Sequence, residues 1–185
     1  RQRQICIRDR IKTNTSFYDL SVETAGNSVS AADALTVDNA FTMEAANTGN
    51  FSTGSNTVRV TGATNIDGGV LQIAATGTFD ADGDFDADGQ TVTFTGDGTL
   101  KLGGNSLGTP DLGTLNDDAG LPNISKGTVI YDNQGGPQTI YDAANLGTGY
   151  FNLIIPLNFS AQRLIRGICK KLFLNAKLST ALNLL

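Results

Sequence analysis

The sequence predicts an all-β protein folded as a β-solenoid, a coil in which short strands stack on equivalent strands of the next rung. The composition favours turns and strands, because Gly accounts for 22 of the 185 residues while Trp and His are absent. The runs TVRVT and TVTFT alternate in polarity and are rich in β-branched residues, as strands require. Two stretches of the chain also repeat each other without a gap, which is typical of stacked architectures.

This first repeat pairs Gly49–Gly62 with Gly83–Gly96. Every matched pair is separated by the same number of residues, the number from Gly49 to Gly83, which we call the offset of the repeat. The two stretches share Gly, Phe, Thr and Val at matching positions, and their apolar residues alternate with period two, so the repeated unit consists of strands. We therefore expect a rung as long as this offset, or half as long. Val58 should then stack over a position like Val92 in an inner apolar column.

A second repeat joins Ser16–Val22 to Gly149–Ile155. Both segments contain two aromatic residues, then Asp or Asn, then Leu and a strand-like end, so a longer unit should restart near Tyr150. Segments rich in Gly, Asn and Asp separate the strand-like runs. Strands are predicted at 17–22, 35–43, 57–61, 70–74, 78–81, 91–95, 99–102, 127–131, 138–141 and 150–155.

Charge is distributed unevenly along the chain. Residues 13–158 carry three basic and seventeen acidic side chains, whereas residues 159–185 carry five basic side chains and no acidic one. A body this acidic repels the phosphates of nucleic acids, so we expect no nucleic-acid partner. The sequence contains no signal peptide and no apolar run of about 18 residues that could form a transmembrane segment. We expect any export signal to lie outside this fragment.

The two ends differ from the acidic body and are treated as separate segments. Residues 1–13 lack strand alternation, and their run CIRDR resembles the translation of a sequencing adaptor, so we interpret them as an artefact or a disordered leader. Residues 159–185 have the pattern of a basic amphipathic helix, for which three interpretations stay open. They are a shifted reading frame, a helix that caps the stack, or a membrane-surface attachment. Cys6 and Cys169 both lie in these ends.

The runs GTVIYDNQGGPQTIYD and TGYFNLII carry a resemblance to known proteins. They resemble the repeat regions of large secreted bacterial surface proteins and adhesins, autotransporter-like or haemagglutinin-like, which form right-handed parallel β-solenoids. The likeness covers roughly residues 14–158. It implies an extracellular or cell-surface location and a non-catalytic structural or adhesive role. The implied partners are glycans or proteins of the cell surface or matrix, and neighbouring repeats of a longer chain.

An enzyme is the alternative function, in the form of a carbohydrate-active β-helix enzyme such as a polysaccharide lyase or glycosidase. The chain has no His to act as a general base, and it lacks GxSxG, P-loop and dinucleotide motifs. The segment Asp80–Asp88 could supply a carboxylate pair, with Arg59, Lys101 and Lys126 as the cations nearest in sequence. We therefore predict no catalytic residues and no bound organic cofactor.

The acidic run FDADGDFDADGQ is the sharpest chemical signal in the sequence. Alternation should bury Phe79 and Phe85 and direct the carboxylates outward. Calcium prefers six to eight oxygen ligands, which clustered Asp side chains supply. Counted from Asp84, the segment begins like the calcium loop of an EF-hand, but position twelve is Thr95 instead of Glu. No flanking helices are predicted either, so an EF-hand is excluded. A weak calcium site and a simply solvated acidic surface both stay open; the candidate ligands are Asp80, Asp82, Asp84, Asp86 and Asp88.

Threonines alternate along one predicted strand at Thr91, Thr93 and Thr95. A row of hydroxyl groups on a flat face suits binding of ice or of a sugar. The pattern is complete only once, because Arg59 stands between Thr57 and Thr61. A solvated strand face is therefore the favoured interpretation.

Overall fold

The computed structural model describes residues 10–11, 16–23, 25–104, 110–117, 126–132, 138–141 and 150–156. This part of the chain contains fifteen short strands and no helix. The strands are β1 (Arg10–Ile11), β2 (Phe17–Val22), β3 (Ser28–Ala31), β4 (Leu35–Met43), β5 (Asn50–Ser52), β6 (Thr57–Val60), β7 (Thr64–Ile66), β8 (Val70–Ile73), β9 (Thr78–Ala81), β10 (Phe85–Asp86), β11 (Thr91–Phe94), β12 (Thr99–Leu102), β13 (Thr114–Asp117), β14 (Thr128–Tyr131) and β15 (Asn152–Ile154).

These strands form a parallel β-solenoid of about five rungs, which confirms the predicted fold class. Three walls enclose the core. Wall one is the sheet β1-β3-β5-β8-β11-β13. Wall two starts with the first half of β4 and continues through β6, β9, β12, β14 and β15. Wall three contains β2, the second half of β4, β7 and β10, because the long strand β4 turns the corner between walls two and three.

In wall two, Asp80 pairs with Lys101 on the next rung, and the two are separated by 21 positions in sequence. This rung is shorter than the offset from Gly49 to Gly83 and longer than half of that offset, so both expected rung lengths are wrong. Val58 stacks on Phe79, not on a position like Val92, which belongs to wall one. The first repeat therefore aligns pairs of strands that lie on different walls. Their sequences are similar because every wall has the same alternation of inward apolar and outward polar residues.

The core is a continuous apolar column enclosed by the walls. Each strand directs alternate side chains inward, and stacking places an apolar residue of one rung on that of the next. Three pairs of Phe rings, each in edge-to-face geometry, connect the walls at its centre. Such pairs contribute about 0.5–1.5 kcal/mol each beyond burial. Wall two contributes one inner row, formed by Leu35, Val58, Phe79, Leu100 and Val129.

The corner between walls two and three carries a column of three glycines spaced by one rung, Gly62, Gly83 and Gly104, which stacks on Asn39 of β4. A Cβ atom added to Gly83 would lie 2.2 Å from the carbonyl oxygen of Gly62. One added to Gly104 would lie 2.5 Å from the carbonyl oxygen of Gly83. Backbones stack this closely only where the side chain is absent, so the one-rung spacing of these glycines is a direct consequence of the tight corner.

Most of the predicted strands are confirmed, but residues 138–141 do not form a strand. This stretch runs past the last rungs, where Gln138 Nε2 donates to the carbonyl of Leu102 at 2.6 Å. The Tyr141 amide donates to the hydroxyl of Tyr131 at 3.0 Å, and that hydroxyl lies 2.6 Å from the hydroxyl of Tyr150. Hydrogen bonds to side chains therefore hold this stretch in place of the backbone hydrogen bonds that a strand would make with its neighbour.

The prediction missed several very short strands, among them β3, β5, β7 and β13. Their Ser, Asn and Asp content gives them the composition of turns. At the amino end, Arg10–Ile11 of the segment 1–13 pair in parallel with β3. The rest of that segment, including Cys6, and all of residues 159–185, including Cys169, lie outside the described residues. The handedness of the coil stays a prediction.

Candidate functional site

An outward row of charged residues crosses the middle of wall two. The register places Arg59 beside Asp80 and Asp80 beside Lys101, on three consecutive rungs. Thr36 precedes this row and Ile130 follows it. Neighbouring strands are about 4.8 Å apart, so charges of opposite sign in such a row attract each other. The row therefore alternates positive, negative and positive charge along the axis of the coil.

Ion pairs connect this row to the residues that follow the strands. The Lys101 ammonium lies 3.1 Å from a carboxylate oxygen of Asp80 and 3.2 Å from one of Asp132, on the rungs on either side. Arg59 Nε donates to Asp82 at 2.7 Å. Asp82 and Asp132 come directly after strands β9 and β14, where the chain leaves wall two. The solenoid thus brings together two cations and three carboxylates, a cluster that we call the charge cluster.

The electrostatics of the charge cluster keep its cations protonated. Burial lowers the pKa of Lys101, but its hydrogen bonds and charge attraction to Asp80 and Asp132 outweigh that effect, and the pKa is raised. The hydrogen bond from Arg59 to Asp82, together with their charge attraction, raises the pKa of Arg59. Neither cation can therefore act as a base near neutral pH.

The five predicted calcium ligands do not converge. Asp80 and Asp82 are held by Lys101 and Arg59, as described above. Asp84, Asp86 and Asp88 are exposed, and Asp86 Oδ1 accepts a hydrogen bond from the Asp88 amide at 3.0 Å. Within the described ranges, no group of three or more acidic, Cys or His side chains is close enough to hold a metal ion.

The reason is the corner at Gly83, which the sequence pattern did not reveal. Phe79 and Phe85 are both buried, as the alternation predicted. They belong to different walls, however, because β9 lies in wall two and β10 in wall three. The carboxylates on either side of the corner therefore face different directions. Weak calcium binding stays a prediction.

A column of threonines on wall two escaped the sequence analysis. Thr57, Thr78, Thr99 and Thr128 occupy the same outward position on four successive rungs. The row of Thr91, Thr93 and Thr95 runs along a single strand, β11, and the residue that follows it, whereas this column runs across strands. The sequence carries a signal of this column, because Thr57, Thr78 and Thr99 are equally spaced. The longer offset of the first repeat obscured that spacing.

A cleft lies away from the charge cluster, where the chain leaves wall three after β2 and β4. It has a volume of about 530 Å³ and is lined by Glu23, Ala25, Glu44, Ala45 and Ala46. Ser21 Oγ donates to Glu44 Oε1 at 2.5 Å. The cleft combines two carboxylates with small apolar side chains, and none of these lining residues is a cation or an aromatic residue. A ligand pocket is ordinarily richer in apolar and aromatic surface.

Comparison with known proteins returned no relative. No family model matches the chain, and no curated protein or solved structure matches it either. None of the residues that the structure describes forms a helix long and apolar enough to cross a membrane.

Proposed function

We propose that this chain is a non-catalytic structural or adhesive module of a secreted bacterial cell-surface protein. The observation that carries the proposal is the mainly polar exterior of walls one and two, which on the last rungs of wall two gives way to the outward apolar residues Ile130 and Ile154. Apart from Val70, outward positions on strands β3, β5, β8 and β11 of wall one hold Ser, Asn, Gln and Thr, and on wall two the charges are paired with each other. Such a surface suits display and contact along the length of a stiff rod.

The charge cluster favours this function over catalysis. A general acid or base needs a pKa shifted towards the working pH, and a nucleophile needs an adjacent base. Here Lys101 and Arg59 have raised pKa values and are paired with carboxylates. Ion pairs of this kind stabilise the stacking of neighbouring rungs, so their presence is explained without a reaction.

The proposed location rests on the repeat pattern. The resemblance of the strand and Gly-rich turn pattern to bacterial surface adhesins supports an extracellular role. The architecture is consistent with it, because each rung contacts mainly its neighbours and a stack can extend away from a surface. We infer that the partners are glycans or matrix proteins that contact an outer wall.

Beads that carry the full chain test this function. We expect them to adhere to surfaces coated with a neutral polysaccharide or with a matrix protein, above beads that carry albumin. We also expect the soluble chain to leave the same polysaccharides intact, with no new reducing ends and no unsaturated uronic acid. Failure to adhere to any coated surface would refute the adhesive role, and turnover would refute the non-catalytic one.

A carbohydrate-active enzyme is the second candidate, and one observation favours it. Lys101 bridges Asp80 and Asp132, so two carboxylates meet beside a cation on the outer surface. If this is a catalytic site, Asp132→Asn should abolish polysaccharide turnover by the chain. Asp97→Asn is the matched control, because Asp97 lies in the turn between β11 and β12, away from the charge cluster. We expect neither variant nor the parent chain to show turnover.

A further inference from the structure

The large apolar side chains that are exposed in the described part of the chain are Tyr18, Phe151, Ile154 and Ile155, and two of them are aromatic. Tyr18 is 71% exposed and Phe151 is 45% exposed. The other aromatic residues that the structure describes are buried or half-buried, among them the five Phe residues of the core. An exposed aromatic ring loses the stabilisation that burial would give it, so its recurrence at one kind of position needs an explanation.

Both rings come from the second repeat, and the two copies share the burial of their two aromatic residues and of the polar residue that follows, although β2 lies in wall three and β15 in wall two. The first aromatic residue of each copy, Phe17 or Tyr150, is half-buried and packs against the core. The second aromatic residue is exposed, and so is the polar residue after it, Asp19 or Asn152. The repeat therefore keeps one ring as an anchor and presents the other to solvent.

The surroundings of Tyr18 are held in place by the backbone and by hydrogen bonds. Between the pairs Phe17 with Val37 and Asp19 with Ala40, the register of β2 on β4 shifts by one residue. Tyr18 thus lies opposite two residues, the exposed Asp38 and Asn39. Such β-bulges redirect side chains and are frequent beside functional sites.

Asp19 holds the side chain of Asn39, which lies opposite Tyr18, in place. Its Oδ1 atom accepts a hydrogen bond from Asn39 Nδ2 at 2.7 Å and from the Ala40 amide at 3.3 Å. This leaves the Asn39 amide in a defined place beside the bulge. An exposed ring with adjacent, preorganised hydrogen-bonding groups is the arrangement that a small polar ligand with one apolar face requires.

We propose that Tyr18 is the stacking platform of a binding site for a neutral glycan. The apolar C–H face of a sugar ring would pack on the phenol ring, and its hydroxyl groups would donate to the carboxylates of Asp19 and Asp38 and to the Asn39 amide oxygen. The two carboxylates and the acidic body repel uronates and sulfated sugars. This inference rests on the proposed adhesive function and names its ligand class.

A protein partner fits this site less well. Protein interfaces have an apolar centre of several side chains, whereas the residue that follows Tyr18 and the two that lie opposite it, Asp19, Asp38 and Asn39, are polar and exposed. One isolated ring matches the size of one sugar unit.

Affinity electrophoresis of the full chain tests the proposal. Native gels contain hydroxyethylcellulose, galactomannan or dextran as neutral polymers, and polygalacturonate as the acidic one. We expect at least one neutral polymer to retard the chain and polygalacturonate not to. Tyr18→Ala should weaken that retardation at least about tenfold in apparent affinity, while Tyr18→Phe, which keeps the ring, should retain it. Gln72→Ala, which removes an outward side chain of wall one, is the control and should behave like the parent.

The outcomes separate this proposal from the function it rests on. Absence of retardation by every neutral polymer, or equal retardation of Tyr18→Ala and the parent, overturns the glycan site. Beads that adhere only to a matrix protein, equally well with and without Tyr18→Ala, would leave the adhesive function standing while the glycan site falls. Far-ultraviolet circular dichroism of Tyr18→Ala must match the parent for its loss of binding to count as support.

Discussion

Thr64 places a hydroxyl group without a hydrogen-bond partner in the core, and its replacement by Val should stabilise the protein. It points inward on wall three between Phe41 and Phe85 of the neighbouring rungs, and it is fully buried. Its Oγ1 atom has no hydrogen-bond partner, although its amide donates to the carbonyl of Asp84 at 2.7 Å. The backbone is therefore satisfied and the hydroxyl alone bears the cost of desolvation.

The size of the effect follows from that geometry. A buried hydroxyl without a partner costs about 1–3 kcal/mol in proteins, and Val has nearly the same shape as Thr. We expect Thr64→Val to raise the free energy of unfolding by about 1–2 kcal/mol. In a chain of this size each kcal/mol shifts Tm by about 2–4 °C, so Tm should rise by about 2–8 °C.

Thermal and urea unfolding followed by far-ultraviolet circular dichroism measures this change. Thr78→Val is the matched control, because Thr78 faces outward on wall two and its side chain is only partly buried. We expect the control to change Tm by no more than about 1 °C. A Thr64→Val chain that unfolds at or below the parent's Tm would refute the reasoning, since it would mean that the hydroxyl contributes a bond to the native state.

Three further predictions follow from the corner, the tyrosine contacts and the acidic run. Gly83→Ala should destabilise the fold by about 1–3 kcal/mol in urea unfolding, because the added Cβ would meet the backbone of the previous rung; an unchanged midpoint would contradict the tight corner. Burial raises the pKa of Tyr131 more than its hydrogen bond with Tyr150 lowers it, so its contribution to stability is complete below pH about 10 and is lost as the pH rises through the raised value. Between about pH 9 and about pH 11, the free energy of unfolding should therefore fall less steeply with rising pH for Tyr131→Phe than for the parent. If the acidic run binds calcium, calorimetric titration of the full chain will give heat at about millimolar calcium, and Asp84→Asn with Asp86→Asn will remove it; no heat would identify a solvated surface.

The sequence alone determined the class of fold and the two faces of most strands. Alternation is a local property, because successive side chains of a strand point to opposite sides whatever the strand pairs with. Phe79 and Phe85 could therefore be assigned to the core, and β4, β6, β9 and β12 could be located nearly to the residue. Short strands such as β3, β5, β7 and β13 were missed, because three or four residues rich in Ser, Asn and Asp carry little periodic signal.

Only the tertiary structure decided which residues are neighbours across rungs. Stacking depends on where the chain turns corners, and the corner at Gly83 divides the acidic run that looked like one site. Lys101 meets Asp132 because the chain between β12 and β14 makes one longer rung, in which Thr99 pairs with Thr128. Charge pairs, the threonine column and the setting of Tyr18 all follow from this register. Register is set by contacts between distant segments packing a shared core, so composition and local pattern cannot specify it.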